Sequence, residues 1–169
     1  HAMILIFNST PLIYLCKAGL DWIFQELDAD CIIPDAVYEE VVIKGKQMGS
    51  ADALVAEKLV KNGIISVKKT ENNSLFTQLN MELHRGEIGV LYLAKSMGGV
   101  AIVDDDIART TGEILGVEVH GTIYLIFRMV KRGKLSKEDA KARINRMVTD
   151  GFWMGHKQYL AILDLLDKI

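Results

Sequence analysis

Two short stretches of sequence determine the fold: M-I-L-I-F-N-S-T-P at residues 3–11 and V-A-I-V-D-D-D at residues 100–106. Each begins with a short apolar run and then turns abruptly polar. Such runs predict buried β-strands. In the first stretch, Thr10 and Pro11 are typical of a helix cap followed by a first helical residue, so we expect a helix to start there.

Extended and helical patterns alternate along the rest of the chain. The predicted strands lie at residues 3–7, 31–33, 64–67, 100–103 and 117–119. The predicted helices lie at residues 12–18, 20–27, 34–43, 49–61, 74–84, 86–96, 106–115, 122–131, 136–148 and 156–168. Apolar strands that alternate with helices are typical of an α/β fold with a parallel sheet.

The composition indicates one ordinary domain. With 169 residues, half of them apolar and a quarter charged, the chain is long enough to bury one hydrophobic core. We predict a single domain over residues 3–169, and we interpret His1 and Ala2 as the remnant of an expression tag. The formal net charge of −2 excludes a protein that binds nucleic acid through an overall positive charge, although a local basic face is compatible with it.

Cysteine content and hydropathy indicate a reducing compartment away from the membrane. Cys16 and Cys31 are the two cysteines, which is too few for a disulfide framework. No apolar run approaches the roughly 20 residues that span a bilayer, and we find no charged-then-apolar leader. We therefore expect a cytoplasmic protein.

Polar residues follow two of the predicted strands. Asn8 ends the first strand, and Asp104, Asp105 and Asp106 end the strand at residues 100–103. In an open parallel sheet, ligands bind beyond the carboxyl ends of the strands. If the two strands are central and adjacent, Asn8 and the acids share one crevice. The alternative is that the acids cap a helix and that Asn8 is a turn residue.

Two glutamates lie on predicted apolar helix faces. Glu40 comes one turn after Ala36 and Val37, and Glu87 comes one turn before Leu91. A carboxylate on an inward face is costly unless a cation or a hydrogen-bond donor meets it. Glu87 also has a simpler explanation, because an acid in the first turn of a helix is favoured by the helix dipole.

These acids predict a metal centre. Several carboxylates that lie close together repel one another unless protons or hard cations neutralise them. Oxygen ligands without imidazole or thiolate favour Mg²⁺ or Mn²⁺. Such ions polarise phosphates and activate water, which is the chemistry of phosphodiester hydrolysis.

The chain resembles the PIN-domain superfamily, and more closely a prokaryotic PIN-like branch similar to the toxin ribonucleases of toxin–antitoxin pairs. The motifs that carry the resemblance cover nearly the whole chain. They are N-S-T-P-L-I-Y-L at 8–15, I-P-D-A-V-Y-E-E-V at 33–41, R-G-E-I-G-V-L-Y-L-A at 85–94, I-V-D-D-D-I-A-R at 102–109, G-V-E-V-H-G-T at 116–122 and G-F-W-M at 151–154.

The resemblance implies a three-layer α/β/α sandwich around a central parallel sheet, with a divalent-metal nuclease site. It implies catalytic roles for Glu40, Glu87, Asp104 and Asp105. The implied metal ligands are these four together with Asn8 and Asp106. It also places a hydroxyl of the site at Ser9 or Thr10.

One residue departs from the family pattern. The family usually has an aspartate where this chain has Asn8. An amide oxygen can bind a metal ion but brings no negative charge, so metal affinity and water activation should both fall. We therefore expect weak or absent nuclease activity, or an asparagine introduced to disable the protein.

A basic segment lies near the C-terminal end. Residues 128–146 contain eight basic and two acidic residues, a net charge of +6. Arg128, Lys131, Arg132 and Lys134 cluster around a predicted helix end and could bind RNA phosphates. A solvated face of two amphipathic helices is the alternative.

Three functions compete. The first is a metal-dependent endoribonuclease, the toxin of a pair with a protein antitoxin. The second is a catalytically inactive PIN-like module that binds RNA or a protein partner, which Asn8 favours. The third is a phosphoacceptor receiver domain, which would need a lone phosphoacceptor Asp and a late Lys that we do not find in suitable positions. Homodimerisation is compatible with all three.

Overall fold

A five-stranded parallel sheet forms the centre of the protein. The computed structural model describes residues 3–70, 83 and 85–169. The strands are β1 (Met3–Phe7), β2 (Ala29–Pro34), β3 (Ile65–Lys68), β4 (Val100–Ile102) and β5 (Val119–His120). They pair in the order β3-β2-β1-β4-β5, and every pair is parallel. The α/β prediction is confirmed.

The helices largely follow the predicted pattern. They are α1 (Ser9–Lys17), α2 (Ile23–Glu26), α3 (Asp35–Tyr38), a π-helical segment (Glu39–Lys44), α4 (Gly45–Gln47), α5 (Ala51–Lys61), α6 (Arg85–Met97), α7 (Asp106–Ile114), α8 (Thr122–Lys131), α9 (Lys137–Thr149) and α10 (His156–Lys168). The helix predicted at residues 74–84 lies outside the described residues, except for residue 83. Among the described helices, none is long and apolar enough to cross a membrane.

The strand order reverses direction at β1. The chain moves from β1 to β2 and β3 on one side, then crosses back to β4 and β5 on the other side. Right-handed crossovers therefore put α1 and α5 on one face of the sheet and α6 and α7 on the opposite face. The contacts agree, because α1 packs on α5, while α6 packs on β1, β2, β4 and α7. The result is the expected three-layer α/β/α sandwich.

The core is densest around the central strand. Ile6 and Phe7 of β1 are fully buried, as are Leu12 of α1 and Ile102 of β4. Phe7 also meets the ring of Phe24 edge-on, with centroids 5.0 Å apart. A central parallel strand is covered on both faces, which explains why β1 is a continuous apolar run rather than an alternating one.

The chain forms two compact units, His1–Thr122 and Ile123–Ile169. The first contains the sheet. The second contains α9 and α10, which are joined by an ion pair of 2.8 Å between Lys141 Nζ and Asp167 Oδ1. The single domain over residues 3–169 stays a prediction.

Candidate metal and phosphate site at the carboxyl edge of the sheet

Asn8 lies at the point where the strand order reverses. Its backbone N–H donates to the carbonyl of Ile102 at 3.0 Å, which ties the ends of β1 and β4 together. The two strands are adjacent, so Asn8 and Asp104 follow neighbouring strands at the same edge of the sheet, as expected. Asn8 is buried and occupies the cap position of α1, but its side chain makes no capping hydrogen bond.

The predicted start of the first helix is wrong by two residues, because Asn8 rather than Thr10 occupies the cap position. Helix α1 begins at Ser9, so Thr10 is a helical residue instead of the cap. Pro11 is nevertheless accommodated, because it remains within the first turn, where backbone N–H groups have no partner inside the helix.

The start of α6 packs directly against Asn8. A Cβ atom on Gly86 would lie 3.2 Å from Asn8 Oδ1, 3.3 Å from Val37 Cγ2 and 4.0 Å from Ser9 Oγ. The ends of β1, α3 and α6 therefore meet at one place. Glu87 is the next residue of α6 and is only 6% exposed. An acidic residue in the first turn of a helix interacts favourably with the helix dipole.

Asp104 is held by the first residue of α8. The backbone N–H of Thr122 donates to Asp104 Oδ1 at 2.9 Å, and the Thr122 hydroxyl donates to Oδ2 at 2.6 Å. Burial raises the pKa of Asp104 above its usual 3.8, and the Thr122 hydrogen bonds and the charge of Arg109 oppose that rise. Asp104 is the acid of the 104–106 run whose carboxylate faces other elements of the site.

Asp105 and Asp106 have the simpler roles that the sequence left open. Asp105 is the cap of α7, and its Oδ2 accepts from the backbone N–H of Ala108 at 2.9 Å. Asp106 is the first residue of the same helix, and both acids are exposed. The capping alternative is therefore correct for Asp105. Metal binding by either residue stays a prediction.

The placement of Glu40 on an inward helix face is wrong. Glu40 is exposed, whereas Val37, Val41 and Val42 are buried. Residues Glu39–Lys44 form a π-helix, in which hydrogen bonds join residues i and i+5. The 3.6-residue period that we applied to Ala36, Val37 and Glu40 does not hold across such a segment.

The compact acid cluster predicted from the sequence is absent from the described part of the chain. Within residues 3–70, 83 and 85–169, no three His, Cys, Asp or Glu side chains lie close enough to hold a metal ion together. At the β1–β4 edge, Asn8 and Asp104 follow adjacent strands, and Glu87 follows Gly86, whose Cβ position lies 3.2 Å from Asn8 Oδ1. Asn8, Glu87 and Asp104 are all oxygen donors, and a Mg²⁺ ion that keeps several waters needs one or two carboxylates from the protein. This donor set therefore fits a hard divalent ion.

Sequence reasoning assigned no role to three residues of the site. Thr122 binds Asp104, and Arg109 places a positive charge near it. A Cβ on Gly121 would lie 2.7 Å from Asp104 Oδ1 and 3.1 Å from Arg109 Nη2. The available signal was a Gly-Thr pair immediately before a helical pattern, which is typical of a helix start that approaches another group closely.

The basic cluster lies in the unit Ile123–Ile169. Arg128 is half-buried, donates from Nη1 to the Tyr124 hydroxyl at 3.0 Å and lies 5.9 Å from the centre of that ring. Lys131, Arg132 and Lys134 are exposed at the end of α8 and in the turn that follows. Three exposed cations and one fixed by an aromatic ring form a surface that can attract phosphate.

In α/β proteins with an open parallel sheet, ligands bind at the switch point, where this chain carries polar side chains. The chain belongs to the PIN-domain family, whose model DUF3368 matches residues 4–168. This is a nuclease-type superfamily. The fold is similar to the crystal structure of PAE2754 from Pyrobaculum aerophilum, at 16% identity and a TM-score of 0.53 over 78% of this chain and 99% of that one. No curated protein matches the chain significantly.

Proposed function

We propose that this protein is a divalent-metal-dependent ribonuclease of the PIN type, with activity weakened by Asn8. The observations that carry the proposal are the packing of Asn8 against the start of α6 and the positions of Asn8 and Asp104 after the adjacent strands β1 and β4. Glu87 and Asp104 would hold Mg²⁺ or Mn²⁺, with Asn8 as a neutral oxygen ligand. A divalent ion supplies polarisation of a phosphodiester and activation of water for hydrolysis.

The protein's own residues would orient the RNA. Ser9 is buried beside Gly86, so its hydroxyl can donate to a phosphate oxygen in the crevice, and the half-buried Thr10 follows it. Glu40, Asp105 and Asp106 are exposed and would contribute to the metal or water environment only at the rim.

The basic cluster of Arg128, Lys131, Arg132 and Lys134 would attract the RNA backbone. Binding through phosphate contacts weakens steeply as salt rises. The same face could bind an acidic protein antitoxin. A homodimer and a cytoplasmic location complete the proposal.

Cleavage of a fluorophore-labelled single-stranded RNA of mixed sequence tests this function. Wild-type protein and the Asn8→Asp variant are compared with Mn²⁺, with Mg²⁺ and with EDTA. Even changes next to a metal's ligands alter activity by roughly 10–100-fold, so Asn8→Asp should cleave at least about tenfold faster than wild type. EDTA should abolish cleavage, and Glu87→Gln in the Asn8→Asp background should remove the gain. Failure of both proteins to cleave RNA and to bind metal would refute the proposal.

A catalytically inactive module that binds RNA or a partner is the second candidate. It is favoured by the neutral Asn8 and by the use of Asp105 as a helix cap. This function requires RNA binding that is unchanged by EDTA and an Asn8→Asp variant that remains inactive. Fluorescence anisotropy with the same RNA, at low and high salt, distinguishes it from the nuclease.

A further inference from the structure

The N-terminus of α8 forms a tight seat for the carboxylate of Asp104. Gly121 and Thr122, which form this seat, lie 17 and 18 residues further along the chain than Asp104. Thr122 is fully buried, and its backbone N–H and its hydroxyl both donate to the carboxylate of Asp104. The hydroxyl bond, at 2.6 Å, lies in the range of hydrogen bonds to an ionised oxygen.

Gly121 is required by this contact rather than by its backbone conformation. It is not among the glycines with positive φ, so the backbone at this position is open to other residues. A Cβ would nevertheless come within 2.7 Å of Asp104 Oδ1, and the carboxylate would have to move. The absence of a side chain therefore serves the close approach of the Asp104 carboxylate.

The seat leaves the carboxylate able to bind a further group. An ionised carboxylate has about four lone-pair positions, and Thr122 uses one on each oxygen. The plane and position of the carboxylate are fixed by this pair of bonds, which leaves one lone pair on each oxygen outside them, beside the positive charge of Arg109. A hydrogen bond to a ligating carboxylate orients it and is typical of well-formed metal centres.

We propose that Thr122 is a positioning residue that orients Asp104 for a divalent cation. Gly121 has no side chain and therefore leaves room for the Asp104 carboxylate to approach Thr122. The inference rests on the proposed function, because it assumes that Asp104 is a metal ligand. Thr122 itself does not touch the metal or the RNA. It sets the geometry of the side chain that does.

The test is the affinity for Mn²⁺, measured by isothermal titration calorimetry on the full chain without RNA. Thr122→Val removes the hydroxyl and keeps the shape, and Thr122→Ser restores the hydroxyl. Removal of a hydrogen bond to a metal ligand weakens binding by about 10–100-fold, which is the loss expected for Thr122→Val. Thr122→Ser should bind Mn²⁺ nearly as well as wild type, and Gly121→Ala should bind it less tightly.

Thr111→Val is the matched control, because its hydroxyl donates to the backbone carbonyl of Ile107 at 2.8 Å, on the outward part of α7. It should leave Mn²⁺ affinity unchanged. The melting temperature of each variant without metal separates a folding role from a positioning role. If Thr122→Val lowers the melting temperature but not Mn²⁺ affinity, the proposal is overturned and Thr122 is merely structural.

Asp104→Asn separates failure of this inference from failure of the proposed function. If Asp104→Asn removes Mn²⁺ binding while Thr122→Val does not, the metal site stands and the positioning role is refuted. If Asp104→Asn leaves Mn²⁺ binding intact, or if wild type binds none, Asp104 is not a ligand and both proposals fail.

Discussion

Restoring a carboxylate at Asn8 should make the stability of the protein depend on a divalent metal. Asn and Asp have nearly the same shape, so Asn8→Asp keeps the packing of this side chain against Gly86. What changes is one negative charge at a buried position between β4 and α6. Without a cation, that charge faces Asp104 on the neighbouring strand, so the folded state should be destabilised.

The strand register gives the magnitude. Phe7 pairs with Ile102, so Asn8 lies beside Val103, and Asp104 is one residue further along the chain, after the end of β4. With strands about 4.8 Å apart and a rise of about 3.3 Å, the Cα atoms of residues 8 and 104 would be about 6 Å apart, and we take this as the scale of the charge separation. At an effective dielectric constant of about 20, the repulsion between the two carboxylates is about 3 kcal/mol. Solvent at the half-buried Asp104 reduces this to about 1–3 kcal/mol.

Thermal unfolding measures the effect. At about 2–4 °C per kcal/mol for a chain of this size, Asn8→Asp should melt about 2–12 °C below wild type in EDTA. A cation that binds the folded state and is present at 100 times its Kd restores about 2.7 kcal/mol, so Mn²⁺ should raise the melting temperature of the variant more than that of wild type.

The control is Asn62→Asp, which adds the same charge at an exposed position at the end of α5. It should show a small change that Mn²⁺ does not reverse. Equal melting temperatures of wild type and Asn8→Asp in EDTA would show that Asn8 and Asp104 do not interact. An equal response of both to Mn²⁺ would show that residue 8 does not contribute to a metal site.

Three further substitutions test the surrounding structure. Asp105→Ala should cost about 1 kcal/mol, because it removes the cap on the Ala108 N–H, and should leave Mn²⁺ affinity unchanged; a fall in affinity measured by calorimetry would instead make Asp105 a ligand. Asp104→Asn should raise the melting temperature at pH 7. The pKa of Asp104 is raised in the folded state, so Asp104 contributes favourably to the free energy of folding below its usual pKa of 3.8, and this contribution is lost as pH rises through the folded pKa. The gain should vanish near pH 3, and a gain that is independent of pH would contradict the assigned cause. Gly112→Ala places a Cβ 2.6 Å from Val119 Cγ2 and should lower the midpoint of urea unfolding by an amount equivalent to about 1–3 kcal/mol, whereas an unchanged midpoint would show that α7 and β5 can separate freely.

The central strands could be predicted because their signal is local. Strand β1 spans the predicted residues 3–7, and β4 ends one residue before the predicted limit of 103. Both are covered on two faces, so they are continuous apolar runs, and both end where the chain reaches the polar edge of the sheet. Their adjacency was only a condition of a shared crevice in the sequence analysis, and it is the pairing of β1 with β4 in the structure that establishes it.

Glu40 could not be placed because its helix does not keep one period. The turn from Tyr38 into the π-helical segment changes which residues share a face. Gly45, which follows the π-helical segment, packs closely on α5, since a Cβ there would be 2.9 Å from Ala53 Cβ. Close packing of two helices depends on a partner in a different element, and a helical period computed within one element does not include it.

Two aspartate–threonine pairs at the sheet edge show why the contacts of the site lay beyond sequence reasoning. Asp35 follows β2 and accepts from Thr70, after β3, at 3.3 and 3.4 Å; Asp104 follows β4 and accepts from Thr122, after β5, at 2.6 and 2.9 Å. The partners are 35 and 18 residues apart, so their pairing depends on strand order, which local patterns do not encode. The lengths of the bonds separate their roles. Bonds near 3.4 Å are weak tethers between neighbouring connections, whereas a bond of 2.6 Å fixes a charged oxygen. The shorter and stronger bonds are those between Thr122 and Asp104, the acid that follows the strand next to Asn8. A cation bound there would require a fixed ligand.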